Sequence, residues 1–157
     1  MADSMFVNEE ILIDASTETI WRVLTETKYV AQWDELPEGY PEGAMRKGSK
    51  VVWELPDGGQ SITTIINAEP QKELKISLFV SKWEEKVKEG DIAYLYQLEE
   101  RGRSTRLKIR IGDFSLIKNG RNYHEASVEF AGKAKTVIKE LAESQSERPN
   151  IRFSPNE

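Results

Sequence analysis

The stretch from Arg121 to Glu143 constrains the rest of the chain more than any other. At about 100° per residue, one stripe collects Tyr123, Ala126, Phe130, Ala134, Val137, Ile138 and Leu141. The opposite side collects Glu125, Glu129, Lys133, Thr136, Lys139 and Glu140. A helix with one apolar face draws most of its stability from whatever covers that face. A broad apolar partner is therefore required, and the segments upstream alternate in the manner of strands.

Taken in order, Phe6 to Asp14 reads as a first strand. Ser16 is a good N-cap and Glu18 suits the first turn, which predicts a helix over Thr17 to Glu26 with Ile20, Val23 and Leu24 buried. A second short helix is expected over Tyr29 to Trp33. Asp34 to Ser49, with two prolines and three glycines, reads as a loop or irregular edge strand. Strands follow at Val51 to Leu55 and Gln60 to Ala68, joined by Pro56-Asp57-Gly58-Gly59, a hairpin signal. Leu74, Ile76, Leu78 and Val80 form one face of the next strand; Ile92, Tyr94, Tyr96 and Leu98 form that of the one after; Leu107, Ile109 and Ile111 form that of the last. Helices gathered on one face of an antiparallel sheet make the fold α+β. Residues 1–144 are expected to form one domain, and 145–157, polar and carrying two prolines, a mobile tail.

Composition excludes several function classes. The absence of cysteine removes disulfides, thiolate metal sites and cysteine nucleophiles, and suits a reducing compartment. A single histidine leaves too few ligands for zinc, so no metal and no other cofactor is expected. The net charge of −5 disfavours nucleic acid as a partner. Arg101, Arg103, Arg106, Lys108 and Arg110 form a basic ribbon, but three of them alternate with apolar residues, as a solvated strand face does. No stretch approaches the roughly 18 apolar residues of a membrane span, and the first residues lack a signal-peptide core, so a cytoplasmic protein is expected. No glycine pattern opens a helix after a strand to cradle phosphate.

Four segments together carry a resemblance: ILIDASTETIWRVLTETKYVAQW at 11–33, GSKVVWELPDGG at 48–59, AEPQKELKI at 68–76 and LEERGRSTRLKIRI at 98–111. In order and spacing the chain resembles the START-like, or SRPBCC, superfamily. Within it, the chain looks like the small single-domain proteins related to the C-terminal domain of heat-shock-protein-90 ATPase activators. Ile20-Trp21, Leu24-Thr25 and Trp33 stand where that family places its helix motif and following tryptophan. Glu26 replaces the usual aspartate, and Tyr123 stands where many relatives carry a Gly-Trp pair. The resemblance implies a helix-grip fold: a curved antiparallel sheet of six to seven strands gripping the C-terminal helix, with two short helices after strand 1. It also implies a cavity between that helix and the sheet.

Trp53, Tyr94, Tyr96, Tyr123 and Phe130 fall on or beside inward positions and are the expected lining. Tyrosine and tryptophan join an apolar body to a polar handle and suit a flat or amphipathic ligand; plain core filling is the competing account. His124 is the candidate polar group, either a cavity acid or base or a half-exposed residue at a helix start. Glu26, Glu54 and Asp113 are candidate cavity carboxylates, with nothing pairing them in sequence. Trp21 and Trp33 are expected to be scaffold. No catalytic residue is singled out. The first functional expectation is a binding protein for a small hydrophobic or amphipathic molecule. A cyclase- or dehydratase-like enzyme using the same cavity ranks second, and a protein-interaction module of the co-chaperone type third.

Overall fold

The structure is a computed structural model and describes residues 4–147. Six strands form a single antiparallel sheet: β1 (Val7–Ile13), β2 (Lys50–Glu54), β3 (Gln60–Glu69), β4 (Glu73–Val80), β5 (Ala93–Arg101) and β6 (Ser104–Gly112). Their spatial order is β1-β6-β5-β4-β3-β2. The chain therefore starts at one edge and crosses through α1 (Thr17–Thr25), α2 (Thr27–Trp33) and the 34–49 connection to the opposite edge. It then returns strand by strand until β6 pairs with β1. A 3-10 turn (Phe114–Leu116) leads into α3 (Gly120–Glu147). This is the expected α+β helix-grip architecture.

Local chemistry explains the joints. Ser16 caps α1, its Oγ accepting the Thr19 N–H at 3.1 Å. In the β2–β3 hairpin Asp57 Oδ1 accepts the Gly59 N–H at 2.9 Å, and Gly58 takes a φ of +88° that a side chain would resist. The indole Nε1–H of Trp33 donates to the Val23 carbonyl at 2.8 Å, tying α2 to α1. Ile13, Ile20, Leu74, Leu107, Ile109, Ile111, Phe114 and Ile138 are essentially fully buried between the layers.

The long helix differs from expectation in two respects. It runs to Glu147, so residues 145–147 are helical, and the remainder of the expected tail lies outside the described residues. Its buried line is Ser127, Ala131, Ala134, Ile138 and Ala142, while Ala126, assigned to the apolar stripe, is exposed. Small side chains on this line let the helix backbone approach its neighbours closely. The bulkier Phe130, Val137 and Leu141 are half-buried along its flank.

α3 packs on β1 and β6 and against α1 and α2. Polar contacts hold it to the β1 edge. Lys135 Nζ donates to Glu9 Oε1 at 2.6 Å, Lys139 Nζ to the Leu12 carbonyl at 3.0 Å, and the Asp14 N–H to Glu143 Oε2 at 2.9 Å. The helix thus occupies the β1–β6 side of the sheet. The β2–β5 side faces α1, α2 and the 34–49 connection, and the cavity lies there.

Candidate functional site: a cavity between the sheet and the first two helices

The alternation of strand residues puts a set of cross-strand neighbours on the cavity floor. Trp53 pairs with Ser61, Val51 with Thr63, and Thr63 in turn with Leu78; Ile65 pairs with Ile76, and Ile76 with Tyr94. Tyr96 sits two residues beyond Tyr94 on the same face. Leu24, Val30 and Trp33 form part of the roof, and Asp34, Glu35, Leu36, Met45 and Ser49 complete the wall. The cavity volume is about 140 Å³. Pockets for drug-sized ligands run to roughly 300–1,000 Å³, whereas an engineered cavity of about 150 Å³ accepts benzene. This site is therefore sized for one ring or a short aliphatic chain.

Tyr96 is 1% exposed, and its ring meets Trp33 edge-on at 5.5 Å. The hydroxyls of Tyr96 and of the half-buried Tyr94 form no hydrogen bond with any other described residue. Burial pushes the pKa of both phenols upward, and the nearby Asp34 charge adds to it. As a whole residue Asp34 is exposed, but its carboxyl is shielded enough that burial raises its pKa. The Glu35 N–H, donating to Asp34 Oδ1 at 2.8 Å, pulls the other way, and the Glu35 charge reinforces the rise. The cavity is thus mostly apolar, with two unpartnered phenols and a carboxylate at one end.

Of the residues singled out from sequence, the structure brings together Trp53, Tyr94 and Tyr96. Trp53 is 39% exposed, at the rim on edge strand β2. Tyr123 and Phe130 are not in the lining. Tyr123 stacks on Phe114 at 6.1 Å, and its hydroxyl accepts the Trp83 Nε1–H at 3.2 Å. Phe130 contacts Tyr94 at 5.8 Å and Trp33 at 6.4 Å between ring centroids, supporting both rings without entering the cavity. His124 is also elsewhere: its Nε2 lies 3.1 Å from the Phe6 carbonyl, which can only accept, so that nitrogen carries the proton and no carboxylate is involved. The cavity is consequently enclosed by the sheet, α1, α2 and the 34–49 connection, where the sequence placed it between the sheet and the C-terminal helix.

The candidate carboxylates lie outside it as well. Glu26 approaches Lys28 at 3.8 Å, Glu54 accepts from Gln60 Nε2 at 2.7 Å, and Asp113 accepts the Met5 N–H at 2.8 Å. The basic ribbon is largely engaged: Arg106 approaches Glu10 at 3.6 Å, Lys108 approaches Glu99 at 3.8 Å, and Arg110 covers the Phe6 ring at 3.9 Å. A wider depression bordered by Gln71, Glu73 and Gln97 is open and polar, and Glu73 is already bonded to Asn67 and Gln97. Among the described residues no cluster of His, Asp or Glu could hold a metal ion, and no helix is long and apolar enough to cross a membrane.

Asp34 and Glu35 join the lining without having been expected there, and Trp33, expected as scaffold, is both a tie to α1 and a cavity wall. One signal was available. Two acidic residues follow directly on a helix whose C-terminal end carries partial negative charge, a placement that costs stability unless something else uses it.

No curated protein matches the chain. Among solved structures it is similar to protein MLL2253 from Mesorhizobium loti, with a TM-score of 0.68 at 16% identity over 93% of this chain and 99% of that one. It is also similar to the Aha1 dimer from Colwellia psychrerythraea, with a TM-score of 0.58 at 18% identity over 85% and 96%. DynU16, a protein of the dynemicin biosynthetic locus, gives a TM-score of 0.58 at 16% identity over 87% of this chain and 48% of that one. At these identities the likeness speaks for the fold alone. The family described as activator of Hsp90 ATPase homolog 1-like protein matches residues 14–144, most of the chain, and the protein belongs to that family.

Proposed function

We propose that this chain is a binding protein for a small, flat, largely apolar molecule of about single-ring size that carries one polar group, held between β2–β5 and α1–α2. The observation that carries this reading is the pair of phenols. Tyr94 and Tyr96 line one cavity beside Asp34, and their hydroxyls have no hydrogen-bond partner among the described residues. A ligand that fills the cavity and bonds to these hydroxyls gains about 0.5–1.5 kcal/mol net for each bond. The volume of about 140 Å³ favours a single ring over a whole lipid. The test is calorimetry with a panel of single-ring amphiphiles on the parent protein and on Tyr94→Phe and Tyr96→Phe. Binding should weaken by about tenfold in each variant, the equivalent of one lost hydrogen bond. A panel with no binder at all would contradict the reading.

A second reading, an acid–base enzyme of the cyclase or dehydratase kind, draws on Asp34, a carboxyl with a raised pKa beside two phenols. It gains support only from turnover of a bound compound that Asp34→Asn abolishes while binding survives.

A further inference from the structure

The charge of the walls narrows the ligand further. Four aromatic residues line the cavity, Trp33, Trp53, Tyr94 and Tyr96, together with Asp34 and Glu35, which are exposed as whole residues at its edge. No lysine, arginine or histidine is among the lining residues. Neither carboxylate forms an ion pair with another described residue, and Asp34 uses only Oδ1, toward the Glu35 N–H at 2.8 Å. An acidic pair at a cavity mouth is not a site in itself. The second observation is Tyr96, a residue 1% exposed that lines the same cavity and whose hydroxyl has no partner among the described residues.

An anionic ligand would meet two negative charges and no compensating cation. A neutral ligand would leave the Asp34 carboxylate half-used. Aromatic faces present negative potential and attract organic cations, and the net charge of −5 adds a long-range bias in the same direction. Resting on the cavity-binding reading above, the geometry points to a small organic cation as the ligand: an ammonium group on a single ring or short apolar stem. The ammonium sits at the mouth between Asp34 and the tyrosines, and the apolar part lies over Ile76 and Leu78. The upward push of burial on the Asp34 pKa fits a carboxylate whose counter-ion arrives with the ligand.

Three near-isosteric probes separate this inference from the reading it rests on: benzylamine (cationic at neutral pH), benzyl alcohol and benzoate, each titrated calorimetrically at low ionic strength. Benzylamine should bind about tenfold or more tighter than benzyl alcohol, with benzoate weakest. In Asp34→Asn the advantage over the alcohol should shrink to about twofold or less. Added salt should weaken the amine and spare the alcohol. Benzyl alcohol or benzoate binding as tightly as the amine overturns the cation assignment and leaves the cavity reading standing. An amine preference that survives both Asp34→Asn and added salt also overturns it. Absence of binding by all three overturns both.

Discussion

Replacing Tyr96 by phenylalanine should stabilise the ligand-free protein. Deleting a buried tyrosine hydroxyl ordinarily costs stability, because it usually breaks a hydrogen bond worth about 0.5–1.5 kcal/mol net. Here the hydroxyl has no partner among the described residues, and the ring around it is packed, 5.5 Å from Trp33 and 1% exposed. The change removes an unpartnered hydroxyl from a residue that is almost wholly buried beside the cavity, and leaves every ring contact in place. Relief of an unsatisfied group runs to about 1–3 kcal/mol; because this one borders a cavity of about 140 Å³ rather than solid packing, the lower end applies, about 1 kcal/mol. For a domain of this size that is a rise in Tm of roughly 2–4 °C. Urea melts of the two proteins measure it directly, and an unchanged slope shows that the unfolded states are comparable. A loss of about 1 kcal/mol, the sign expected of a satisfied hydroxyl, would refute the reasoning and with it the polar handle of the cavity.

Asp34→Asn should likewise raise Tm at neutral pH. The folded pKa lies above 3.8, so the folded state holds the proton more firmly than the unfolded one. Stability attributable to Asp34 therefore falls as pH rises through that window, and the gain in the variant should vanish below about pH 3.8. Asp113 and Glu143 should behave oppositely. Burial pushes Asp113 up, but hydrogen bonds from the Met5 N–H and from Ser115 more than offset it; the Lys139 ammonium and the Asp14 N–H hold Glu143 low. Their stabilisation is present above the ordinary values of 3.8 and 4.5 and is lost as pH falls through the lowered ones. Asp113→Asn and Glu143→Gln should each cost stability at pH 7 and flatten the acid limb of the Tm–pH curve. On α3, Ala134→Leu should cost about 1–3 kcal/mol by overpacking, whereas Ala126→Leu should stay within about 0.5 kcal/mol. Denaturant melts of the pair check which face of the helix is buried.

The architecture was legible because each element advertised its period. Leu74, Ile76 and Leu78 share one face with Tyr94 and Tyr96 across the β4–β5 pair, as strict alternation requires. The helix stripe was legible in direction but not in centre. Hydrophobicity weights Phe130 and Val137 above Ala131 and Ser127, while close packing of a helix on a sheet selects the small residues. The cavity was half legible. Its floor follows from strand alternation, but its roof depends on how the 34–49 connection folds back, and that segment has no period to read. Asp34 therefore carries no periodic signal as a lining residue, and nothing local shows that the Tyr123 hydroxyl meets Trp83, 40 residues away. His124 drew attention as the lone histidine, but rarity alone carries no information about what faces it.

The central claim is that the functional space lies between β2–β5 and α1–α2, away from the head of α3. The four indole N–H groups report on this in one experiment. Trp33 and Trp53 line the cavity; Trp21 does not, and Trp83 packs on Tyr123 at the start of α3, with ring centroids 5.7 Å apart. In a ¹⁵N-labelled sample titrated with the tightest-binding single-ring probe, the Trp33 and Trp53 indole signals should shift together and saturate with one Kd. Those of Trp21 and Trp83 should stay in place. Movement of Trp83 with Trp33 and Trp53 unchanged would put the ligand at the α3 end of the sheet and contradict the account.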